Sequence, residues 1–274
     1  MTDVFEIVNR NARILKLDFS SEEFAYFIQD KNLSPQSAQD IASLFEYLGR
    51  KKTETTIQTL LRLSRLPLKA PKTFENFDFS VIKGKDTDRL KALPTMAAIY
   101  AHQNVAFIGP AGTGKTHLAQ AFGYECCQRG MKTYFIKMSE LKDKFTAARR
   151  AGKEASVLNG LVRPSCLIID EVGHCEFDKE NTRLFFDLVD RRYNKEGNFN
   201  MVFTSNKNPV NWRANFSEDD ALLCALDRIF DEAIVFNLKG RSYRGKKLVN
   251  VALQTDLVRV PDADMAAPPP EKSE

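Results

Sequence analysis

The segment GPAGTGKT, at residues 109–116, constrains the fold of this chain more than any other feature. The mostly apolar residues 104–108 before it predict a strand, and residues 115–129 after it have the pattern of a helix. Glycines at such a junction let the backbone curl until several N–H groups face one phosphate at the helix N-terminus. A glycine-rich turn without a ligand is the alternative, but the flanking strand and helix favour a phosphate-binding loop.

The loop also carries the two side chains that a nucleoside triphosphate and its cation need. We expect Lys115 to contact the β and γ phosphates and the Thr116 hydroxyl to bind Mg²⁺. ATP and Mg²⁺ are therefore the predicted cofactors, although loops of this kind also serve kinases and GTPases. The residues predicted to surround ATP are Gly109, Pro110, Ala111, Gly112, Thr113, Gly114, Lys115, Thr116 and His117.

A second motif, CLIIDE at residues 166–171, is an apolar strand that ends in two carboxylates. We predict that Asp170 binds Mg²⁺ together with Thr116. Glu171 is the predicted general base, because a carboxylate at this position can accept a proton from an attacking water. The alternative is a strand that exits into solvent with acidic residues, and the upstream loop argues against it.

Three later polar residues are further candidates for the catalytic site. The strand NFNMVFTS leads into Asn206, at the sheet edge where ligands of open α/β sheets bind, and we expect Asn206 to orient water or contact the γ phosphate. Arg228 and Arg244 come later, and an arginine can stabilise the charge that develops on the γ phosphate. Surface arginines paired with Asp227 or Asp231 fit the same spacing, which leaves both interpretations open.

Short apolar strands alternate with helices from about residue 84 onward, which is typical of a parallel sheet covered on both faces. The predicted strands are residues 104–108, 132–137, 165–170, 199–204 and 233–238. The predicted helices are residues 86–102, 115–129, 139–150, 179–195 and 219–230, with a last helix that begins near residue 241.

The first 68 residues have apolar side chains at helical spacing and predict a small helical region that contacts a partner or DNA. LSPQSAQDIASLF and TETTIQTLLRLSRL are predicted as two helices, the first capped by Ser34. The segment PLKAPKTFENFDFS predicts a linker that docks on the next domain. We place that α/β domain at residues 69–258 and a disordered, proline-rich acidic tail at residues 259–274.

The length, the apolar runs and the cysteines of the chain indicate in which cell compartment we expect it. The chain has 274 residues, 43% of them hydrophobic, which suffices for one large domain and a smaller appendage. No apolar run approaches the ~18 residues that a membrane span needs. The N-terminus lacks the basic start and apolar stretch of a signal peptide. We therefore expect a cytoplasmic protein with no membrane partner and with its five cysteines reduced.

Five motifs, in order GPAGTGKTHLA, CLIIDE, FTSNK, ALDRIF and FNLKGRSYR, resemble the AAA+ ATPases of the IstB-like group. These are ATP-binding helper proteins of insertion sequences and a sister group of the DnaC-like helicase loaders. The resemblance runs from about residue 57 to residue 250. It implies that residues 69–258 are an AAA+ ATPase domain with a five-stranded parallel sheet in the order 5-1-4-3-2, flanked by helices.

The resemblance also implies roles for individual residues. Asn206 matches the sensor-1 polar residue, Arg228 the finger that enters a neighbouring subunit's site, and Arg244 the sensor-2 arginine of its own subunit. ATP hydrolysis would then be coupled to assembly of the subunits. Family members form homo-oligomers around DNA, and they recruit and activate a partner transposase. The segment VGHCEFD departs from many relatives, which have Gly-Tyr-Leu there, and we expect His174 to be a loop residue.

Two basic segments are candidate DNA contacts. KDKFTAARRAGK offers Lys142, Lys144, Arg149, Arg150 and Lys153 against one acid. Residues 50–72 have seven basic side chains against Glu54, whereas residues 1–49 have four basic and eight acidic ones. A solvated helix face is an equally good interpretation of either segment. Because no base-reading motif is present, we expect sequence-tolerant binding to phosphates.

Three other functions fit parts of the sequence. A helicase loader would share the ATPase site but act on a replicative helicase and single-stranded DNA. A small-molecule kinase would share the phosphate-binding loop but lack the series Asn206, Arg228 and Arg244. A nucleotide-gated structural module would bind ATP with little turnover, and Glu171 is the residue that separates it from an ATPase.

Overall fold

The computed structural model describes residues 4–82, 87–217, 219–231 and 233–240. Arg244, the helix predicted to begin near residue 241 and the tail predicted at residues 259–274 lie outside the described residues. The domain boundary predicted after residue 68 stays a prediction.

Three helices form the N-terminal region: α1 (Val4–Leu15), α2 (Ser21–Asp30) and α3 (Pro35–Leu63). The Ser20 hydroxyl accepts a hydrogen bond from the Glu23 amide, and the Glu23 carboxylate caps the Ser20 amide in return, which starts α2. Ser34 caps α3 as the sequence predicts. The helices share a small core of Val8, Phe24, Ala38 and Ala42.

The prediction of two helices between residues 33 and 66 is wrong, because α3 is a single helix of 29 residues. Gly49 interrupts the apolar pattern in the middle of α3, but the helix continues through it because α1 packs closely there. A Cβ atom at Gly49 would lie 2.2 Å from Oδ1 of Asn11. The glycine therefore serves the contact between α1 and α3 rather than a break in the helix.

The aromatic segment after α3 docks on the α/β core, as its composition predicts. Phe74, Phe77 and Phe79 pack against one of the two core clusters. The end of α3 is anchored to the sheet as well, because the Phe135 amide donates to the Ser64 carbonyl at 2.8 Å. We refer to residues 71–79 as the aromatic strip.

The predicted helix at residues 86–102 is divided into shorter pieces. α4 (Thr87–Lys91) and α5 (Ala97–Tyr100) are separated by a 3-10 turn at Leu93–Thr95. Pro94 lies in that turn, and Met96 adopts a left-handed backbone with φ of 64°. Both features break the regular helix.

The remaining elements alternate as predicted, with one addition. Their bounds are β1 (Val105–Ile108), α6 (Lys115–Gln128), β2 (Thr133–Lys137), α7 (Met138–Ala151), α8 (Glu154–Val162), β3 (Cys166–Asp170), α9 (Lys179–Tyr193), β4 (Asn200–Ser205), α10 (Asp219–Phe230) and β5 (Ile234–Asn237). α8 was not predicted from the sequence, and a 3-10 segment at Pro209–Asn215 precedes α10.

All five strands are parallel, in the order β2-β3-β4-β1-β5. This is the predicted order 5-1-4-3-2, written from the opposite edge. The two faces of the sheet are covered by separate apolar clusters, one that includes α7, α8, α9 and α10 and one that includes α6 and the aromatic strip. Because the strands run the same way, the carboxyl ends of β1, β3 and β4 meet at one edge.

The buried guanidinium of Arg192 anchors the start of β3, the strand that leads to the acidic pair. Arg192 on α9 is fully buried and donates to five main-chain carbonyls, those of Leu161, Val162, Pro164, Ser165 and Asn200. Burial lowers the pKa of its guanidinium to about 10. These bonds hold the turn between α8 and β3 against the start of β4.

No helix among the described residues is both long and apolar enough to cross a bilayer. All five cysteines are free thiols, and Cys126, Cys127 and Cys166 are buried between α6 and the sheet. Burial raises the pKa of the Cys127 thiol to about 11, as for an inert core thiol.

Candidate nucleotide-binding and catalytic site

Hydrogen bonds join the phosphate-binding loop to the ends of β3 and β4. The Thr116 hydroxyl donates to Oδ1 of Asp170 at 2.9 Å, and the Thr204 hydroxyl donates to the same oxygen. The Glu171 amide in turn donates to the Thr204 hydroxyl at 3.0 Å. The predicted residues Thr116, Asp170 and Glu171 therefore lie together, and Thr204 connects them.

Asp170 is suited to a cation. Its side chain is 1% exposed, and this burial raises the pKa of the carboxyl, while the hydroxyls of Thr204 and Thr116 oppose the shift. Oxygen ligands are those that Mg²⁺ prefers. Asp170 and Thr116 therefore fit a magnesium ion, which would relieve the cost of the buried negative charge.

This cost leads to a prediction about stability. We expect Asp170→Asn to raise the free energy of unfolding at pH 7 in magnesium-free buffer, because it removes a buried charge while Thr116 and Thr204 keep an acceptor. The gain should disappear as the pH falls below about 3.8, where the unfolded carboxyl is also neutral. ATP turnover should fall about a hundredfold or more.

Thermal denaturation across this pH range tests the prediction. Glu196→Gln, at an exposed carboxylate, is the control and should change neither property. A variant at Asp170 that melts below the parent at pH 7 would contradict it.

Glu171 is half-buried and has an unusual backbone. Its φ is 61°, in the left-handed region that is strained for residues other than glycine. The carboxylate forms an ion pair of 3.2 Å with Lys137, the last residue of β2. Lys137 is paired with Asp170 in the register of the sheet, so a basic side chain lies at the same edge as the two acids. Lys137 was not predicted from the sequence. The signal that could have identified it is a charged residue at the end of the strand that neighbours β3.

The phosphate-binding loop has the geometry that its glycines predict. Gly109, Gly112 and Gly114 all have positive φ. A Cβ atom at Gly109 would lie 2.1 Å from the Leu238 carbonyl oxygen. Glycine is therefore required there for the close approach of the chain beyond β5. The loop ends at Gly114, the N-cap of α6, where main-chain N–H groups can bind a phosphate.

Lys115 lies at the first turn of α6 and is mostly buried. Its Nζ donates to the Pro110 carbonyl at 2.6 Å, and the Thr113 hydroxyl donates to the same oxygen at 2.9 Å. The ammonium group is therefore aligned over the loop, within reach of phosphate oxygens that would bind there.

The aromatic strip covers one side of the loop. A Cβ atom at Gly114 would lie 2.8 Å from the Phe77 ring, and Phe77 packs edge-on against His117 with ring centroids 5.2 Å apart. The His117 ring also contacts the Thr73 carbonyl at 3.0 Å, and burial lowers the pKa of the imidazole. His117, predicted as an ATP contact, therefore lies between the loop and the strip.

Asn206 is exposed at the end of β4 and does not contact the acidic pair directly. Its Nδ2 lies 3.4 Å from Nε2 of His174, and Nδ1 of His174 lies 3.2 Å from the Glu171 carbonyl. His174 is in a loop, as expected, but it lies between two candidate catalytic residues. The direct partner of Asp170 from β4 is Thr204, which was not predicted from the sequence.

Arg228 lies on α10 and contacts α9 rather than the phosphate-binding loop. Its guanidinium pairs with Asp190 at 3.3 Å and lies over the rings of Phe186 and Tyr193. Asp190 is therefore its acidic partner, not Asp227 or Asp231. Arg244 lies outside the described residues, so its role stays a prediction.

The predicted DNA segment forms α7 and the turn after it, but its cations do not form one stripe. Arg149 donates to the Asp178 carboxylate and to Asn181 at the start of α9, so its charge is already paired. Lys142 and Lys144 are half-buried on different faces of the helix. Arg150 and Lys153 are exposed.

Comparison with solved structures identifies the fold. AMPPCP-bound DnaA from Aquifex aeolicus aligns with a TM-score of 0.51 and 24% identity, over 64% of this chain and 52% of DnaA, so this chain spans about half of that protein. The DnaC helicase loader aligns with a TM-score of 0.50 and 16% identity, over 61% of this chain and 97% of DnaC. At these identities the likeness shows the fold alone. Together with the loop, the fold is that of AAA+ P-loop ATP-binding proteins.

Sequence comparison is more specific. A family model described as IstB-like ATP binding protein matches residues 13–250, and the chain belongs to this family. The ATP-binding protein of insertion sequence IS5376 from Geobacillus stearothermophilus is 38% identical over 71% of this chain and 75% of its own length. The IS21 ATP-binding protein from Pseudomonas aeruginosa is 30% identical over 88% of this chain and 89% of its own length.

Proposed function

We propose that this chain is a magnesium-dependent ATPase that assembles on DNA and assists a transposase in target selection and transposition of an insertion sequence. The observation that carries the proposal is the set of hydrogen bonds from Thr116 through Asp170 and Thr204 to Glu171. It brings a phosphate-binding loop, a cation-binding acid and a candidate base to one edge of the sheet. We place this activity in the cytoplasm.

Different residues of the site would carry out different steps of ATP binding and hydrolysis. Lys115 and the loop amides bind and orient the triphosphate, and Thr116 with Asp170 would hold Mg²⁺, which neutralises phosphate charge when bound. Glu171 would accept the proton of the attacking water. Asn206, beside His174, would help to position that water.

Assembly would complete the site. The described contacts of Arg228 are with α9 and with the Cys224 carbonyl of its own helix, and none is with the phosphate-binding loop. An arginine that is half-buried on an outer helix is well placed to act on a neighbouring subunit, as the family resemblance implies. Arg244 would act within its own subunit.

DNA binding rests on charge rather than on a base-reading motif. We propose that Lys142, Lys144, Arg150 and Lys153 contact phosphates, with Arg149 as a structural residue held by Asp178. Such binding is sequence-tolerant and weakens steeply with salt. The relatives are named as insertion-sequence proteins, which supports a transposase as the partner.

ATP turnover measured with and without double- and single-stranded DNA tests this function, with electron microscopy of the assembled particle. We expect turnover to rise on DNA together with the appearance of oligomers. Co-purification with the transposase encoded in the same insertion sequence should succeed. Retention of a replicative helicase instead, with stimulation by single-stranded DNA alone, would identify a helicase loader. A monomer that hydrolyses ATP at full rate, unaffected by DNA, would contradict the assembly.

A further inference from the structure

His174 connects the main chain of the candidate base to the side chain of Asn206. Nδ1 of its ring lies 3.2 Å from the Glu171 carbonyl oxygen, and Nε2 lies 3.4 Å from Nδ2 of Asn206. The main-chain amide of His174 donates to the same Glu171 carbonyl at 3.2 Å. Because Glu171 has a left-handed backbone with φ of 61°, these two contacts help to hold a strained residue in place.

The partners of the ring determine which of its nitrogens carries the hydrogen. A carbonyl oxygen can only accept a hydrogen bond, so Nδ1 is the nitrogen that donates to Glu171. In the neutral ring Nε2 is then an acceptor, and the Asn206 amide donates one of its two Nδ2 hydrogens to it. A single neutral tautomer of His174 therefore satisfies both contacts.

Hydrogen bonds to β4 fix the loop that carries His174. The Val172 amide donates to the Thr204 carbonyl at 2.8 Å, and the Ser205 hydroxyl donates to the Val172 carbonyl at 2.6 Å. Asn206 follows Ser205 directly in the chain. The same bonds therefore tie the loop to the segment that carries Asn206, and they keep the ring beside the amide.

We propose that His174 is a positioning residue for the ATP hydrolysis proposed above, on which this role depends. The ring restrains the Asn206 amide, because a flip of the amide would bring Oδ1 toward Nε2 and two acceptors would then face each other. The restrained amide keeps its Oδ1 and its second Nδ2 hydrogen available to the attacking water and to a γ-phosphate oxygen. His174 thus acts on the reaction through Asn206.

His174→Asn tests this role in the full chain. Its amide can replace Nδ1 as the donor to Glu171 but is too short to reach Asn206 in place of Nε2. We expect kcat for ATP to fall about tenfold, as for the loss of one hydrogen bond, with KM within about twofold of the parent. Asn206→Ala should lower kcat about a hundredfold. The double variant should be no slower than Asn206→Ala alone.

His174→Gln is the matched variant. Its amide oxygen can take the place of Nε2 and accept from Asn206, so kcat should stay within about threefold of the parent. His102→Asn, at a residue that precedes β1 at the opposite edge of the sheet, should leave kcat unchanged. Circular dichroism should match the parent for all of these variants.

Selective ¹⁵N labelling of histidine tests the contact without ATP turnover. The chain has three histidines, so comparison with His174→Asn assigns the ring. At about pH 8.5, where imidazole is neutral, we expect the Nδ1–H tautomer in the nucleotide-free parent and a shift of the Nε2 resonance in Asn206→Ala. A ring protonated at Nε2 would overturn the role of His174, even if the parent hydrolysed no ATP and the ATPase function itself were wrong.

Turnover separates the two proposals in the other direction. Parent-level kcat in His174→Asn would overturn the role of His174 and leave the ATPase function intact. A double variant in which the losses of His174→Asn and Asn206→Ala multiply would do the same, since His174 would then act independently of Asn206.

Discussion

Replacement of Glu171 with glutamine is expected to lower ATP turnover by about 10²- to 10⁴-fold while ATP still binds with an affinity within a few-fold of the parent. The amide keeps the shape of the side chain but cannot accept a proton from water. The phosphate-binding loop is untouched, because Glu171 contacts Thr204 through its main-chain amide. Single-turnover hydrolysis and equilibrium binding of a fluorescent ATP analogue measure the two effects.

The ion pair between Glu171 and Lys137 calls for a matched control. Glu171→Gln removes both the base and the pair, whereas Lys137→Ala removes only the pair. We therefore expect a much smaller loss from Lys137→Ala. Equal losses in the two variants would show that turnover depends on the ion pair rather than on proton transfer to Glu171. Unchanged turnover in Glu171→Gln would favour a nucleotide-gated module that scarcely hydrolyses ATP.

Removal of the Arg228 side chain is expected to reduce turnover by about 10³- to 10⁵-fold and to leave ATP binding nearly intact. The reason is that the guanidinium would stabilise charge on the γ phosphate of the neighbouring subunit. An equimolar mixture of Arg228→Ala with Lys115→Ala should recover part of the activity, because some interfaces then combine an intact loop with an intact arginine. Turnover of the mixture, compared with each variant alone, measures the recovery.

The local contacts of Arg228 provide its control. Asp190→Asn weakens the same ion pair but leaves the arginine in place, so it should retain most of the turnover. Arg228→Lys keeps the positive charge but lacks the planar guanidinium, so its turnover should lie between those of Arg228→Ala and Asp190→Asn. A mixture without recovery would argue against action across a subunit interface.

The phosphate-binding loop and the acidic pair were predictable from local sequence patterns: a glycine-rich turn between a strand and a helix, and an apolar strand that ends in acids. The strand order was predicted only through the family resemblance. Arg149 shows the limit of this reasoning. Its charge suggested DNA, but its partner Asp178 is on another helix, 29 residues away in the sequence.

Contacts that depend on register or packing were not predictable. Lys137 is next to the acids only because β2 and β3 are neighbours. Thr204 reaches Asp170 because it lies in β4 beside the end of β3, whereas Asn206 follows the end of β4. Arginine is usually found at the surface, but Arg192 is a buried structural cation because main-chain carbonyls surround its guanidinium. Gly49 lies between the two stretches that were predicted as separate helices, and its role depends on its close contact with Asn11 of α1.

The unbroken length of α3 has a mechanical consequence. At about 1.5 Å per residue, its 29 residues form a strut of roughly 43 Å. One end is set in the N-terminal core by Ala38 and Ala42, and the other is tied to the sheet near Ser64. A load applied at the N-terminal helices is therefore transmitted to the edge of the sheet as a rigid push or twist, with no hinge between them to absorb it.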